Sequence, residues 1–136
     1  MAGSVLVDAG FLVALLSKRD SLHAWAVTQA SCHPPPWHTC EAVLSESVHL
    51  LGAGGVPAIS GLLRRRAVMS GFRLDQDVES VLKLLNKYAD VPMSLADACL
   101  VRMAETLADP LVLTSDSDFR IYRRHSRQMI PCVIPE

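Results

Sequence analysis

Apolar positions along the chain follow two alternating rhythms, and their alternation decides the class of fold. Short aliphatic or β-branched runs at Ser4–Val7, 37–38, 71–74, 111–114 and 128–134 have the length of strands. Between them, apolar residues recur three and four positions apart. That spacing predicts a helix beginning at 11–16 and further helices over 21–31, 39–51, 57–69, 76–88 and 94–108, with a short one from about 117. Asp20 or Ser21, Thr39 and Ser94 stand where N-caps are expected, and Asp75 or Gln76 opens the fifth helix. Pro57 sits in a tolerated first turn, while Gly52, Gly54, Gly55 and Asp109-Pro110 mark ends. Strands separated by helices throughout close through right-handed crossovers into a mainly parallel sheet covered on both faces. The expected architecture is α/β: a three-layer α/β/α sandwich, one domain over residues 1–136, without repeat, linker or low-complexity tract.

Composition fits this picture. A chain of 136 residues, half of them hydrophobic, can bury enough surface to need no covalent staples. No uninterrupted apolar run approaches the roughly 20 residues that span a bilayer. The apolar stretch 1–16 lacks a basic start and is interrupted by Asp8, so it reads as a buried strand entering a helix rather than a signal peptide. A cytoplasmic protein without a membrane partner is expected. The four cysteines (Cys32, Cys40, Cys99, Cys132) form no C-x-x-C pair and read as reduced core residues. Cys32, His33, His38 and Cys40 match no common structural zinc spacing, and Pro34, Pro35 and Pro36 stiffen the chain between them.

Net charge is −1, so distribution matters more than the sum. Arg64, Arg65 and Arg66 read as a solvated helix face. A second basic cluster, Arg120, Arg123, Arg124, His125 and Arg127, follows within a dozen residues of Asp116 and suits phosphate binding.

Four acids carry the candidate chemistry. In an open parallel sheet, ligands bind beyond the carboxyl ends of the strands where strand order reverses. Asp8 directly follows Val5-Leu6-Val7, and Asp116 lies two residues after the run ending at Thr114, so neighbouring strands would bring the two together. Asp97 has Met93, Leu100, Val101 and Ala104 as helical neighbours, an apolar face where an unpaired carboxylate is expensive. Ser94 and Asp97 also fit a capping box, which explains the position but not the company. Glu46 lies mid-helix between Ala42 and Val43 on one side and His49 and Leu50 on the other, again an apolar or semi-apolar stripe. Glu41, in the first turn, needs only the helix dipole. Carboxylates gathered in one place raise one another's pKa, and a divalent cation removes that conflict. Oxygen-only ligands point to Mg²⁺ or Mn²⁺, and such sites serve phosphoryl transfer.

The motifs occur in a recognisable order. The segment Val5-Leu6-Val7-Asp8-Ala9-Gly10-Phe11-Leu12-Val13-Ala14-Leu15, the D-x-x-H pair Asp20 and His23, Leu95-Ala96-Asp97-Ala98, and Thr114-Ser115-Asp116-Ser117-Asp118-Phe119 together resemble the PIN-domain family, including VapC-like toxins. The stretch 39–51 places Glu46 where the family's second acid sits. The resemblance implies a five-stranded parallel sheet and a Mg²⁺- or Mn²⁺-dependent endoribonuclease, commonly a homodimer. It further implies the toxin of a type II toxin–antitoxin pair, with RNA as substrate and a cognate antitoxin as partner. Carried over by position, Asp8, Glu46, Asp97 and Asp116 are the catalytic and metal-site acids. Asp118 is a supporting acid, although Ser115-x-x-Asp118 is also a capping pattern, and Thr114 orients the Asp116 region. With RNA as substrate, Arg120, Arg123 and Arg124 are the candidate contacts.

One departure stands out. Many relatives carry an acid where this chain has Ser94. A degenerate PIN-like module that binds RNA or a protein partner without catalysis is therefore the alternative. A receiver domain, which also places acids at strand ends, needs paired acids near the first strand and a lysine after the last; this chain has neither.

Overall fold

The computed structural model describes residues 3–136. In chain order the elements are β1 (Ser4–Val7), α1 (Ala9–Leu16), α2 (His23–Cys32), β2 (Trp37–His38), α3 (Glu41–Leu51), α4 (Gly55–Arg64) and β3 (Val68–Met69). They continue with α5 (Val78–Lys87), α6 (Leu95–Thr106), β4 (Pro110–Leu113), β5 (Arg123–Arg124), β6 (Gln128–Met129) and β7 (Cys132–Val133). Five strands form one parallel sheet in the order β3-β2-β1-β4-β7, with helices on both faces in an α/β/α arrangement. β5 and β6 pair separately as a small antiparallel ribbon.

β1 and β4 form the centre, in register from Ser4 opposite Pro110 to Val7 opposite Leu113. A central parallel strand is covered on both faces, which is why both read as continuous aliphatic runs. Leu6, Val7, Val112 and Leu113 are fully buried. Phe11 of α1 meets Trp25 and Trp37 edge-on, with ring centroids 6.0 and 5.4 Å apart. From β1 the chain steps outward to β2 and β3, then returns to β4 on the other side. The reversal of strand order therefore falls between β1 and β4, directly at Asp8.

Several expected boundaries move, each for a local reason. The helix from Pro57 stops at Arg64 rather than near Met69, closed by paired bonds from Arg66 N to the Leu63 carbonyl (3.1 Å) and Ala67 N to the Leu62 carbonyl (3.0 Å). This is a Schellman termination with Arg66 at φ 57°, a place glycine usually fills. Released there, Val68–Met69 becomes the edge strand, and the expected strand at 71–74 is absent. The expected strand over 128–134 is two strands. Gln128–Met129 joins the ribbon, and past Pro131, whose carbonyl accepts Val112 N at 2.9 Å, Cys132–Val133 joins the main sheet.

Thr39 does not cap α3. Its buried hydroxyl donates to the Val7 carbonyl at 2.8 Å, tying β2 to β1, and Cys40 takes the N-cap position. Neither Asp20 nor Ser21 is the N-cap of α2; Asp20 Oδ1 accepts Leu22 N at 2.8 Å one turn earlier. His23 donates from Nδ1 to the Ala14 carbonyl at 2.8 Å, so the D-x-x-H pair pins the end of α1 to the start of α2. Gly52 (φ 71°) ends α3 as expected, but Gly54 and Gly55 lead straight into α4.

Within Glu41–Arg64 an 18-residue window reaches a mean hydropathy of 1.3, enough by length and composition for a membrane-crossing helix. The segment is nonetheless broken at Gly52 into two helices that pack on each other. All four cysteines are free; Cys40 and Cys99 are buried and Cys132 is half-buried, but Cys32 is exposed, since α2 buries only Ala26. Among the described residues, Cys32, His33, His38 and Cys40 do not gather into a metal-binding group.

Candidate active site

Asp8 is the pivot of the site. It is the N-cap of α1, with Oδ1 accepting Phe11 N at 2.8 Å, and it is only 7 % exposed. Its backbone N–H donates to the Leu113 carbonyl at 3.3 Å, so the end of β4 lies beside it. The buried hydroxyl of Thr114 donates to Asp8 Oδ2 and accepts Asp116 N at 2.9 Å. One threonine thus joins the acids at the two strand ends. Asp116 in turn caps the short 3-10 turn Ser117–Arg120, its Oδ1 accepting Asp118 N at 2.9 Å.

Asp97 arrives from α6. Ser94 Oγ accepts Asp97 N at 3.0 Å and Asp97 Oδ2 accepts Ser94 N at 3.3 Å, a complete capping box. The same Oδ2 accepts a hydrogen bond from the Tyr122 hydroxyl at 3.2 Å. Leu100, Val101 and Ala104 are buried as the helical spacing predicts, whereas Asp97, one turn nearer the helix start, reaches a cavity.

That cavity, about 300 Å³, is lined by Asp8, Asp97, Asp116 and Glu46, with Ser94, Ser115 and Gly10 between them. All four acids expected from the sequence therefore line one space. Glu46 differs from expectation in one respect: it is exposed, at the rim. The buried stripe of α3 runs through Val43 and Ser47, whose hydroxyl satisfies itself on the Val43 carbonyl at 2.7 Å.

Electrostatics follow from this packing. Burial pushes the Asp8 carboxyl up from its usual 3.8 to about 6, opposed by its two hydrogen bonds and reinforced by Asp97 and Asp116. Burial likewise raises Asp97, with Asp116 adding to it. The N-termini of α1 and α6 both open on the cavity, and their positive ends offset part of the acid charge. The donor set is oxygen only and short of positive charge, which fits a hard divalent cation. Among the described residues no three His, Cys, Asp or Glu side chains stand close enough to share one ion in this conformation. Asp8, Asp97 and Asp116 each have at least one oxygen engaged with the protein.

The supporting residues divide. Thr114 bridges Asp8 and Asp116. Asp118 does not line the cavity, and Asp116 rather than Ser115 is the cap of its turn. None of the three arginines lines the cavity either. The Arg123 guanidinium donates to the carbonyls of Arg120 (2.6 Å), Ile121 (3.2 Å) and Tyr122 (3.0 Å), closing the turn from behind. Arg124 Nε is buried without a partner, while Arg120 is exposed. Two residues were invisible to sequence reasoning. Gly10 lies so close to Ser115 that a Cβ there would meet Ser115 Oγ at 2.1 Å. Tyr122 reaches an acid 25 residues earlier in the chain, a separation that no periodicity reports.

Comparison with known proteins bears on the fold and the family. The VapC20 toxin of Mycobacterium tuberculosis, described as a Sarcin-Ricin loop cleaving toxin, shares the fold at a TM-score of 0.61 and 24 % identity, over 74 % of this chain and 82 % of that one. No curated protein sequence matches the chain. The family model for the PIN domain matches residues 5–124, nearly the whole length. The chain belongs to the PIN-domain family.

Proposed function

We propose that this protein is a Mg²⁺- or Mn²⁺-dependent endoribonuclease that hydrolyses RNA phosphodiester bonds and acts as the toxin of a type II toxin–antitoxin pair. The observation that carries the reading is the convergence of Asp8, Asp97, Asp116 and Glu46 on one cavity at the reversal of strand order. Membership in the PIN-domain family supports a nuclease, and the fold shared with a toxin from M. tuberculosis supports the toxin role. Asp8, Asp97, Asp116 and Glu46 would hold the cation, which supplies an activated water and neutralises charge at the phosphate. The protein's own contribution is orientation. Thr114 fixes Asp8 relative to Asp116, and the Ser94 box fixes Asp97. Of the three arginines, exposed Arg120 is assigned to RNA, and Arg123 holds the turn that carries it.

Purified protein should cleave a structured RNA with Mn²⁺ or Mg²⁺ and stop when either is chelated. Asp8→Asn and Asp97→Asn should each abolish cleavage, and activity surviving in both overturns the assignment. Homodimerisation is checked by sedimentation, and an antitoxin partner by an adjacent upstream gene for a small DNA-binding protein.

Two observations favour the second reading, a PIN-like module binding RNA or protein without catalysis. Ser94 stands where many relatives carry an acid, and among the described residues the acids are not drawn together into a three-ligand cluster. Calorimetric titration with Mn²⁺ separates the two: carboxylate-dependent binding favours the nuclease, and its absence the module.

A further inference from the structure

Tyr122 has the largest of the fully buried side chains, with 0 % exposure. Its ring packs edge-on against Tyr88 and Phe119, with centroids 5.1 and 5.2 Å away. A phenol buried that deeply needs a partner for its hydroxyl, and the partner here is the Asp97 carboxylate at 3.2 Å. The backbone matters equally. Tyr122 N donates to the Asp118 carbonyl at 3.1 Å, so the ring is rooted in the turn that Asp116 caps. One rigid side chain therefore spans from the element carrying Asp116 to the helix carrying Asp97.

We propose that Tyr122 is a positioning residue of this site. Its hydroxyl holds Asp97 Oδ2 and its backbone fixes the Asp116 turn, so that Asp97 presents Oδ1 to the cation at a set distance from Asp116. The inference rests on the cation-dependent reading above and deepens it by naming what sets the spacing of two ligands. Removing an outer partner that orients a ligating carboxylate typically weakens metal affinity by about 10–100-fold.

The test is Tyr122→Phe, which keeps the ring and its packing and removes only the hydroxyl. Calorimetry should show Mn²⁺ binding about tenfold weaker than in the wild type. Tyr88→Phe is the matched control. It removes a hydroxyl from the same aromatic cluster, one that accepts Arg123 N at 2.9 Å and does not touch Asp97, and it should leave Mn²⁺ affinity unchanged. Equal affinity in Tyr122→Phe and the wild type overturns the proposal. An equal loss in both variants overturns it too, since the cluster would then act only as packing. Wild-type protein that binds no Mn²⁺ sinks the cation reading itself and this inference with it. A readout that does not need the Tyr122 variant to fold comes from Tyr88→Phe, in which Tyr122 is the single tyrosine left of two. Mg²⁺ should shift its near-ultraviolet absorption, and a spectrum that does not move counts against the proposal.

Discussion

Replacing Asp8 by asparagine should stabilise the cation-free protein at neutral pH, although it destroys the site. The carboxyl is held at about 6 rather than 3.8, chiefly because it is buried. A carboxyl raised that far disfavours its charged form, relative to the neutral one, by about 3 kcal/mol. The sign follows from a folded value raised above the unfolded one. Its contribution to stability is fully present below pH 3.8 and is lost as pH rises through about 6. Asparagine copies the neutral form and keeps an oxygen for Phe11 N, but its amide mismatches the Thr114 hydroxyl, which costs about 1 kcal/mol. The net expectation is about 2 kcal/mol in favour of the variant above pH 7. For a chain of this length that is a melting temperature roughly 7 °C higher. Thermal melts in chelator, from pH 4.5 to 7.5, should show the gap opening as pH rises. Adding Mn²⁺ should then stabilise the wild type and not the variant, reversing the order. A variant less stable than the wild type at pH 7.5 in chelator, or a gap that widens toward acid, would refute the reasoning.

Thr114→Val removes the hydroxyl joining Asp8 to Asp116 N and should cost about 1–3 kcal/mol in a chemical melt, with RNA cleavage falling further than the stability loss explains. Gly10→Ala drives a methyl into Ser115 Oγ and should cost about 1–3 kcal/mol; pairing it with Ser115→Ala should recover part of that, and no recovery would show that the clash lies elsewhere. His23→Ala loses the bond to the Ala14 carbonyl and should lower stability by about 1 kcal/mol while leaving cleavage per folded molecule intact, because this side chain pins helices and does not line the cavity. Arg120→Ala should weaken RNA binding and flatten its salt dependence, measured by titration at two ionic strengths, without altering Mn²⁺ affinity.

How far the sequence speaks depends on how many faces of an element are buried. β1 and β4 are covered on both sides, so their composition is almost forced and their bounds are legible; β3 and β7 are two residues each, too short for any period to register, while β2, equally short, falls where the sequence puts it. The end of α4 was hidden for another reason. Its left-handed residue is Arg66, and a Schellman turn without glycine leaves no mark in composition. The acids show the same divide. Asp8 and Asp116 could be placed because each follows a central strand, and pairing β1 with β4 in register brings those ends together whatever the intervening chain does. Glu46 lies outside the apolar stripe expected for it because Ser47 occupies the buried stripe of α3, and a serine that satisfies its own hydroxyl on the preceding turn looks polar in sequence but behaves as core. Asp97 stands out by its apolar neighbours, yet three of them, Leu100, Val101 and Ala104, belong to the later turns of α6; what holds the acid is Ser94 at the helix start and Tyr122 across the site. Local pattern thus supplies the acids, and topology supplies their meeting place. The hydroxyls that decide how the acids stand, on Thr114 and Tyr122, come from pairings 106 and 25 residues apart, which only the folded chain can report.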